Sequence, residues 1–171
     1  MSAETFTSAM FLITAVLAAG VLINAVFPVV YNMAGTFSSA SHESDQRLRT
    51  DYKIITTFAA EGSPGTATVW MKNTGSARIS LADIERSDVF CGAIDDFDRL
   101  AWTNDASPGP EEWTADFTAV TYDTNSNGFW DQGETVKIIA STSKIPASGN
   151  IVYFQFALPN GIWRSAEFTV K

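Results

Sequence analysis

The chain divides into two parts with different hydrophobic patterns. Residues 10–31, MFLITAVLAAGVLINAVFPVVY, contain no charged side chain. A run of this length predicts one α-helix that could cross the roughly 30 Å hydrocarbon core of a bilayer, at about 1.5 Å per residue. The same helix could instead pack against copies of itself in a filament. Both interpretations place the chain at a cell envelope.

From residue 51 onward the pattern changes to short apolar segments separated by turns rich in Gly, Asn and Pro. The predicted strands are YKIITTF, TATVWMKN, ARISLAD, SDVFC, EWTADFTAVTY, TVKIIAS, IVYFQFAL and IWRSAEFTV. We see no helical pattern between them. The fold class expected is therefore α+β by content: a long hydrophobic N-terminal α-helix followed by an all-β, immunoglobulin-like sandwich of antiparallel strands.

Three domains are predicted from these patterns. Residues 1–34 form the hydrophobic helix, residues 35–50 a polar stalk and residues 51–171 the β-sandwich. The Gly, Ser and Thr content of the stalk favours a frayed or flexible connector. Small side chains along the helix allow close approach of another helix, so we expect helix association. No Lys or Arg precedes the apolar run, and we expect it to be retained rather than cleaved as a signal peptide.

Charge excludes one class of partner. Residues 51–171 contain nine Lys or Arg and sixteen Asp or Glu, a net charge of −7. Such a surface repels phosphate backbones, so nucleic acid is not an expected partner. The charge suits a cationic partner, although it could equally serve only to keep the domain soluble.

No residue set resembles an active site, and we expect no enzymatic activity. Cys91 is the only cysteine and has apolar neighbours, which predicts a buried, inert thiol. His42, the only histidine, lies in the predicted stalk, outside the folded domain. The acidic group Asp95, Asp96 and Asp98 is expected on one solvated loop.

One segment carries a chemical signature. Residues 123–134, DTNSNGFWDQGE, match the calcium-loop pattern D-x-[DN]-x-[DN]-G-x5-E at every specified position. The predicted Ca²⁺ ligands are Asp123, Asn125, Asn127, the carbonyl of Phe129, Asp131 directly or through water, and Glu134. The flanks look like strands, so the ion would staple a β-hairpin; the alternative is a turn that needs no ion. The two asparagines lower the ligand charge and predict weak affinity, on the order of 10⁻⁴ to 10⁻³ M.

Four segments together resemble the archaellum accessory protein G family (FlaG or ArlG). They are the helix ETFTSAMFLITAVLAAGVL, the stalk FSSASHESDQRLRTDYKI, the segment VWMKNTGSARISLADIERSDVF and the terminal VYFQFALPNGIWRSAEFTV. The resemblance implies an archaellin-like architecture and a stator role at the cell envelope, facing the S-layer. It also implies partners: copies of the chain itself, a protein F-type companion, and the S-layer or envelope.

The leading hypothesis is a non-catalytic, membrane-anchored stator subunit of the archaellum with its β-domain outside the cell. The runner-up is archaellin, the main filament subunit, whose helix would form the filament core. A third possibility is a surface hydrolase or sugar-binding module, in which Trp102, Trp113 or Trp130 would be exposed and stack on sugars.

Overall fold

The computed structural model describes residues 2–116, 125 and 127–171. Within these residues the chain forms two units, one ending at Ser44 and one running from Asp45 to Lys171. We call the second unit the head.

A single helix, α1, runs from Ser2 to Arg49. Glu4 lies in its first turn, and Arg47 and Arg49 lie in its last, where each complements the partial charge of the helix end. The polar stretch expected to fray is helical as far as Arg49, so that expectation is wrong. Its hydroxyls do not compete with the helix, because they donate to carbonyls four residues earlier.

Strands make up most of the head. They are β1 (Tyr52–Ala60), β2 (Gly65–Asn73), β3 (Ile79–Ser80), β4 (Asp88–Ala93), β5 (Asp96–Trp102), β6 (Glu112–Asp116), β7 (Phe129–Trp130), β8 (Thr135–Thr142), β9 (Ile151–Ala157) and β10 (Trp163–Thr169). One short helix, α2 (Leu81–Glu85), follows β3.

Eight of these strands follow the order β1-β2-β8-β6-β5-β4-β9-β10. The first four form one layer and the last four form the other, as the sandwich prediction requires. The layers are joined where β5 and β6 pair in parallel over two residue pairs, Ala101 with Glu112 and Trp102 with Trp113. The other pairings along this order are antiparallel. The antiparallel prediction therefore holds except at this joint.

Large aromatic side chains fill the space between the two layers. Tyr52, Trp113, Trp130 and Phe156 are all 0% exposed. The Tyr52 ring centroid lies 5.8 Å from that of Trp130 and 5.6 Å from that of Phe156. The Tyr52 hydroxyl donates to the Phe156 carbonyl at 2.6 Å, which satisfies its one polar group. Burial raises the pKa of this hydroxyl.

The segment ARISLAD differs from its prediction as a strand. Only Ile79 and Ser80 are extended, and α2 begins at Leu81. Ser80 caps this helix, because its Oγ accepts a hydrogen bond from the Asp83 N–H at 3.1 Å. A capping residue outweighed the alternating pattern, so the prediction of no helix between the strands is also wrong.

Two other expectations fail. Asp96 and Asp98 lie on strand β5 and not on a loop. Trp113 and Trp130 are fully buried, and Trp102 packs against the core. None of these three tryptophans is an exposed platform for sugar rings. Part of the predicted strand EWTADFTAVTY is β6, and its residues 117–122 lie outside the described residues.

Candidate functional site

The first candidate surface is α1 itself. From Ala3 to Arg49 every side chain is exposed within the described structure, including Phe11 at 71%, Leu17 at 64% and Val21 at 71%. By length and composition this helix could cross a membrane. An uncovered apolar surface of this size is unfavourable in water. Contact with lipid or with other apolar helices would remove this cost.

The Thr14 hydroxyl and the backbone of the apolar run suit a dry environment. The Thr14 hydroxyl donates to the Met10 carbonyl at 2.8 Å, so it needs no water. An α-helix also satisfies its own backbone groups, except the carbonyl four residues before Pro28, because proline has no N–H to donate. These groups can be buried in lipid or in a bundle at little polar cost, whereas the Asn24 amide would need a polar partner there.

The second candidate site is the place in the head where α1 ends. The Arg49 carbonyl has no partner further along the helix, and it accepts hydrogen bonds from the N–H groups of Ser76 at 2.9 Å and Ala77 at 3.0 Å. The Asp51 carbonyl, two residues further along the chain, accepts hydrogen bonds from the N–H groups of Thr74 at 2.9 Å and Gly75 at 2.8 Å. The turn after β2 thus makes four backbone hydrogen bonds here, two to the last residue of α1 and two to Asp51, which follows it. We call residues 73–77 the clamp turn.

Side chains tighten this attachment. The Asp51 carboxylate accepts a hydrogen bond from the Thr74 hydroxyl at 2.9 Å and pairs with Arg164 on β10. Partial burial alone would raise the Asp51 pKa, but the bonds from Thr74 and Arg164 and the charge of Arg164 hold it below its ordinary value. Position 75 requires glycine, because the backbone of residues 49–51 lies too close for a side chain there. A Cβ there would lie 2.3 Å from the Arg49 carbonyl oxygen and 2.4 Å from the Asp51 nitrogen.

Asn73 connects the clamp turn to the segment before β8. The side chain is only 1% exposed. Its Nδ2 donates to the carbonyls of Ala77 at 2.9 Å and Trp130 at 2.8 Å, and its Oδ1 accepts from the Gly75 N–H at 3.0 Å. Its backbone N–H donates to the Glu134 carbonyl at 3.0 Å. One buried amide therefore holds the two segments together.

The third candidate site is the predicted calcium loop. Asn125 and Asn127 both donate through Nδ2 to Oδ2 of Asp131, at 3.0 Å and 2.6 Å. Their Oδ1 atoms accept from the N–H groups of Asn127 and Phe129, at 3.1 Å and 2.9 Å. Gly128 has φ +77°, the left-handed conformation that a sharp turn requires. The structure therefore brings three of the predicted ligands together at one point.

The carboxylates of this loop differ in their surroundings. Hydrogen bonds from Asn125 and Asn127 hold the pKa of Asp131 below its ordinary value, with a smaller contribution from the charge of Arg78. Glu134 is 7% exposed, and its Oε2 accepts from the Asp131 N–H at 2.8 Å. The Phe129 carbonyl belongs to β7, and Asp123 lies outside the described residues.

Among the residues that the structure describes, no group of three or more His, Cys, Asp or Glu side chains could hold a metal ion. The predicted ligand set differs from such a group, because it relies on two asparagines, a backbone carbonyl and Asp123. Calcium binding at this loop therefore stays a prediction.

Sequence reasoning missed the clamp turn. The sequence KNTG at residues 72–75 predicts only a turn by itself, although its Asn and Gly are the residues that a buried amide and a close backbone approach require. What the sequence could not show is that this turn binds residues 49–51, because that contact depends on how β1 and β2 pair.

The profile of the archaeal-type flagellin family matches residues 6–168, nearly the whole chain. The chain belongs to this family. A relative from Archaeoglobus fulgidus is 25% identical over 177 aligned residues, which cover 99% of each chain, and it is described as an uncharacterized protein.

Solved structures with this flagellin-type fold come from two kinds of archaellum component. The periplasmic stator protein FlaG of Sulfolobus acidocaldarius is 24% identical with a TM-score of 0.52, over 70% of this chain and 99% of that one. A chain of the periplasmic stator complex of FlaF and FlaG from the same organism matches at 23% identity and a TM-score of 0.51, over 68% of this chain and 87% of that one. The archaeal flagellum of Methanospirillum hungatei matches at 16% identity and a TM-score of 0.55, over 92% and 91%. These similarities confirm the predicted fold.

Proposed function

We propose that this flagellin-type protein is a non-catalytic structural subunit of an archaellum, of the stator type, which is rooted in a membrane and assembles through α1. The observation that carries the proposal is an apolar helix, exposed along its whole described length, whose end is bound by the clamp turn of a folded head. The head also has the fold of a stator protein that it matches over 99% of that protein's chain.

The partners proposed follow from the same observations. FlaG occurs in a complex with FlaF, which supports a protein F-type companion for this chain. A net charge of −7 over residues 51–171 suits a head outside the cell that contacts a cationic envelope or S-layer surface.

The second candidate function is that of archaellin, the filament subunit. The observation in its favour is the similarity to the Methanospirillum hungatei flagellum, which extends over 92% of this chain and so includes much of α1. In that case helices would cover each other's apolar surface along a continuous filament, whereas a stator would leave much of that surface in lipid.

Helix assembly can be separated from membrane insertion by changing side-chain size. Ala18 and Ala25 lie seven residues apart and so share one face of α1. Replacing both with Leu keeps the helix apolar but blocks close approach of a second helix. The matched control replaces Val16 and Ile23, also seven apart, with Leu, which changes side-chain size little.

Purified full-length protein would be imaged by electron microscopy, and vesicle flotation would report membrane insertion. We expect Ala18→Leu/Ala25→Leu to insert like the parent chain but to form no oligomers, while the control does both. Oligomers unaffected by the alanine changes would contradict assembly through this face. Long continuous filaments of the parent chain would favour the archaellin function over the stator.

Calcium binding by the loop is a further part of the proposal. The convergence of Asn125, Asn127 and Asp131 on one point supports it. An ion would displace the two amide donors from Asp131, and this exchange favours the weak affinity predicted from the ligand charge. Such affinity suits a head outside the cell, where calcium concentrations are high.

Glu134→Gln tests this proposal without unfolding the loop, because Gln can still accept the hydrogen bond from the Asp131 N–H. At a calcium concentration about ten-fold above Kd, the parent head should gain about 1.4 kcal/mol of unfolding free energy. The variant should match the parent in chelator and gain almost nothing from calcium. Equal calcium effects in both proteins would refute the site.

A further inference from the structure

The cations of the head are unevenly paired. Seven of them form ion pairs with carboxylates in the described part of the chain: Arg49, Arg78, Arg86, Arg99, Lys137, Lys144 and Arg164. Lys53 on β1 and Lys72 on β2 are exposed and lie directly opposite one another, and neither has a carboxylate partner in the described part of the chain. Like charges in directly opposed positions are destabilising. A negative charge from a binding partner would therefore stabilise the Lys53–Lys72 pair.

Apolar side chains lie beside these lysines on the same outer face. A register shift between Ile54 and Thr56 leaves Ile55 unpaired and 53% exposed. Trp70, opposite Thr56, is half-buried. We call Lys53, Ile55, Trp70 and Lys72 the lysine face. It combines uncompensated positive charge with exposed apolar surface, as protein docking surfaces often do.

The tip of the β4–β5 hairpin has the opposite charge. Residues 94–98, the two turn residues and the first three residues of β5, carry three carboxylates, and we call them the acidic turn. Their one described cation partner is Lys144, 2.7 Å from Asp96 and 2.9 Å from Asp98. Asp95 is exposed and has no ion-pair partner in this described region. Ile94 and Phe97 are 45% and 43% exposed. Apolar surface and uncompensated charge thus also occur together here.

The two surfaces lie toward opposite ends of the head. Lys72 pairs with Thr135 at the start of β8, whereas Gly65 pairs with Thr142 at its end. Lys144, which contacts the acidic turn, lies two residues after Thr142. Seven strand residues, about 23 Å, separate Gly65 from Lys72. The acidic turn of one molecule therefore cannot neutralise its own lysine face.

We propose that the acidic turn of one copy of this chain docks on the lysine face of a second copy. The contact is heterologous, because different surfaces meet, so it propagates from copy to copy into an open array. It rests on the proposed assembly through α1, which brings copies together, and adds a charge-selective contact between heads. An anionic lipid surface fits less well, because it would attract the lysine face but repel the three carboxylates of the acidic turn, whereas a second copy offers a partner to both surfaces.

Cross-linking between full-length copies tests the contact directly. Thr56→Cys puts a thiol beside the lysine face and Ile94→Cys puts one on the acidic turn, without removing a charge. The native Cys91 is fully buried and stays silent. Mixing the two single variants should give a cross-linked dimer with a short thiol-reactive linker. Mixing Thr56→Cys with Ala82→Cys, an exposed site on α2, should give none.

The second part of the test measures how the yield of cross-linked dimer depends on charge. In the mixed pair, adding Lys53→Glu and Lys72→Glu to the Thr56→Cys chain should lower the dimer yield about ten-fold or more. Lys53→Glu alone should also lower the yield, whereas Lys171→Glu, which makes the same single charge change at a lysine without a described ion pair, should leave the yield unchanged. Raising salt from about 0.1 M to about 1 M should also lower it, because the Debye length falls to about 3 Å.

The outcomes separate this contact from the assembly function. Oligomers by electron microscopy without the mixed cross-link would overturn the head contact alone. Cross-linking of Thr56→Cys with itself would overturn it too, because the contact would then be isologous. A full-length chain that stays monomeric would overturn both the assembly function and the contact.

Discussion

Replacing Asn73 with Ala perturbs the attachment of the helix end to the head more directly than any change on the surface. The substitution removes the two hydrogen bonds that the amide donates, to Ala77 and Trp130, and the one that it accepts from Gly75. The backbone hydrogen bonds of residue 73 remain possible. The change is therefore confined to the link between the clamp turn and the segment before β8.

The size of the effect follows from those three bonds. A hydrogen bond contributes about 0.5–1.5 kcal/mol net, and a buried group left without its partner costs about 1–3 kcal/mol. The bond to Trp130 is buried, while the other two are partly buried. The Gly75 N–H keeps its bond to the Asp51 carbonyl at 2.8 Å. We therefore expect Asn73→Ala to lower the unfolding free energy of the head by roughly 2–4 kcal/mol.

Tryptophan fluorescence measures this on the full-length chain in detergent, because all the tryptophans lie in the head: Trp70, Trp102, Trp113, Trp130 and Trp163. For a unit of this size, about 1 kcal/mol corresponds to about 4 °C in Tm, so the Tm should fall by roughly 8–16 °C. Hydrogen exchange supplies the local readout. The N–H groups of Ser76 and Ala77, bonded to Arg49, should exchange faster in the variant.

Asn150→Ala is the matched control. Asn150 is an exposed turn residue whose amide makes one hydrogen bond, to the Ala147 carbonyl at 3.1 Å. Its loss should cost less than about 1 kcal/mol. If Asn73→Ala costs no more than Asn150→Ala, or if Ser76 and Ala77 keep their protection, Asn73 does not hold the helix end.

Two further predictions concern titratable groups. A depressed carboxyl pKa contributes stability that is fully present above the ordinary Asp value near 4 and is lost as pH falls through the lowered pKa. Because the pKa of Asp131 is lowered by Asn125 and Asn127, acid unfolding in chelator should show a decline below about pH 4 that Asp131→Asn removes; an identical acid profile would contradict this. Burial raises the pKa of Cys91 to about 12, so a thiol reagent at neutral pH should label it only after unfolding, and fast labelling of folded protein would contradict its burial.

Period-two alternation carried most of the information about the sandwich. The alternation in TATVWMKN places Ala67, Val69 and Met71 on one face of β2, and all three are 0% exposed. Such prediction works because one-sided burial fixes both the strand and its register. The pattern could not show the parallel joint between β5 and β6. That pairing depends on how the two layers meet, which no local pattern encodes.

The same limit explains the misread acidic segment. Asp96 and Asp98 have the alternation of a strand, but their charge predicted a loop. Lys144, which neutralises them, lies far along the chain and reaches them only because β8 ends nearby. For the calcium loop the reverse holds: its residues are contiguous, so the motif predicted which side chains converge, although Asp123 lies outside the described residues.

The clamp turn and the calcium loop are parts of one connected structure. Asn73 binds the clamp turn through its side chain, and it bonds Gly133 and Glu134 through its backbone carbonyl and N–H. A force applied along the end of α1 enters the head through the chain into β1 and, in parallel, through the bonds between Arg49 and the clamp turn and then through Asn73. An ion in the loop would restrain Glu134 and so stiffen the next link in this path. In a proposed stator subunit, calcium binding to the loop would therefore strengthen the attachment of α1 to the head. An ion that only joined the two strands beside the loop would not have this effect.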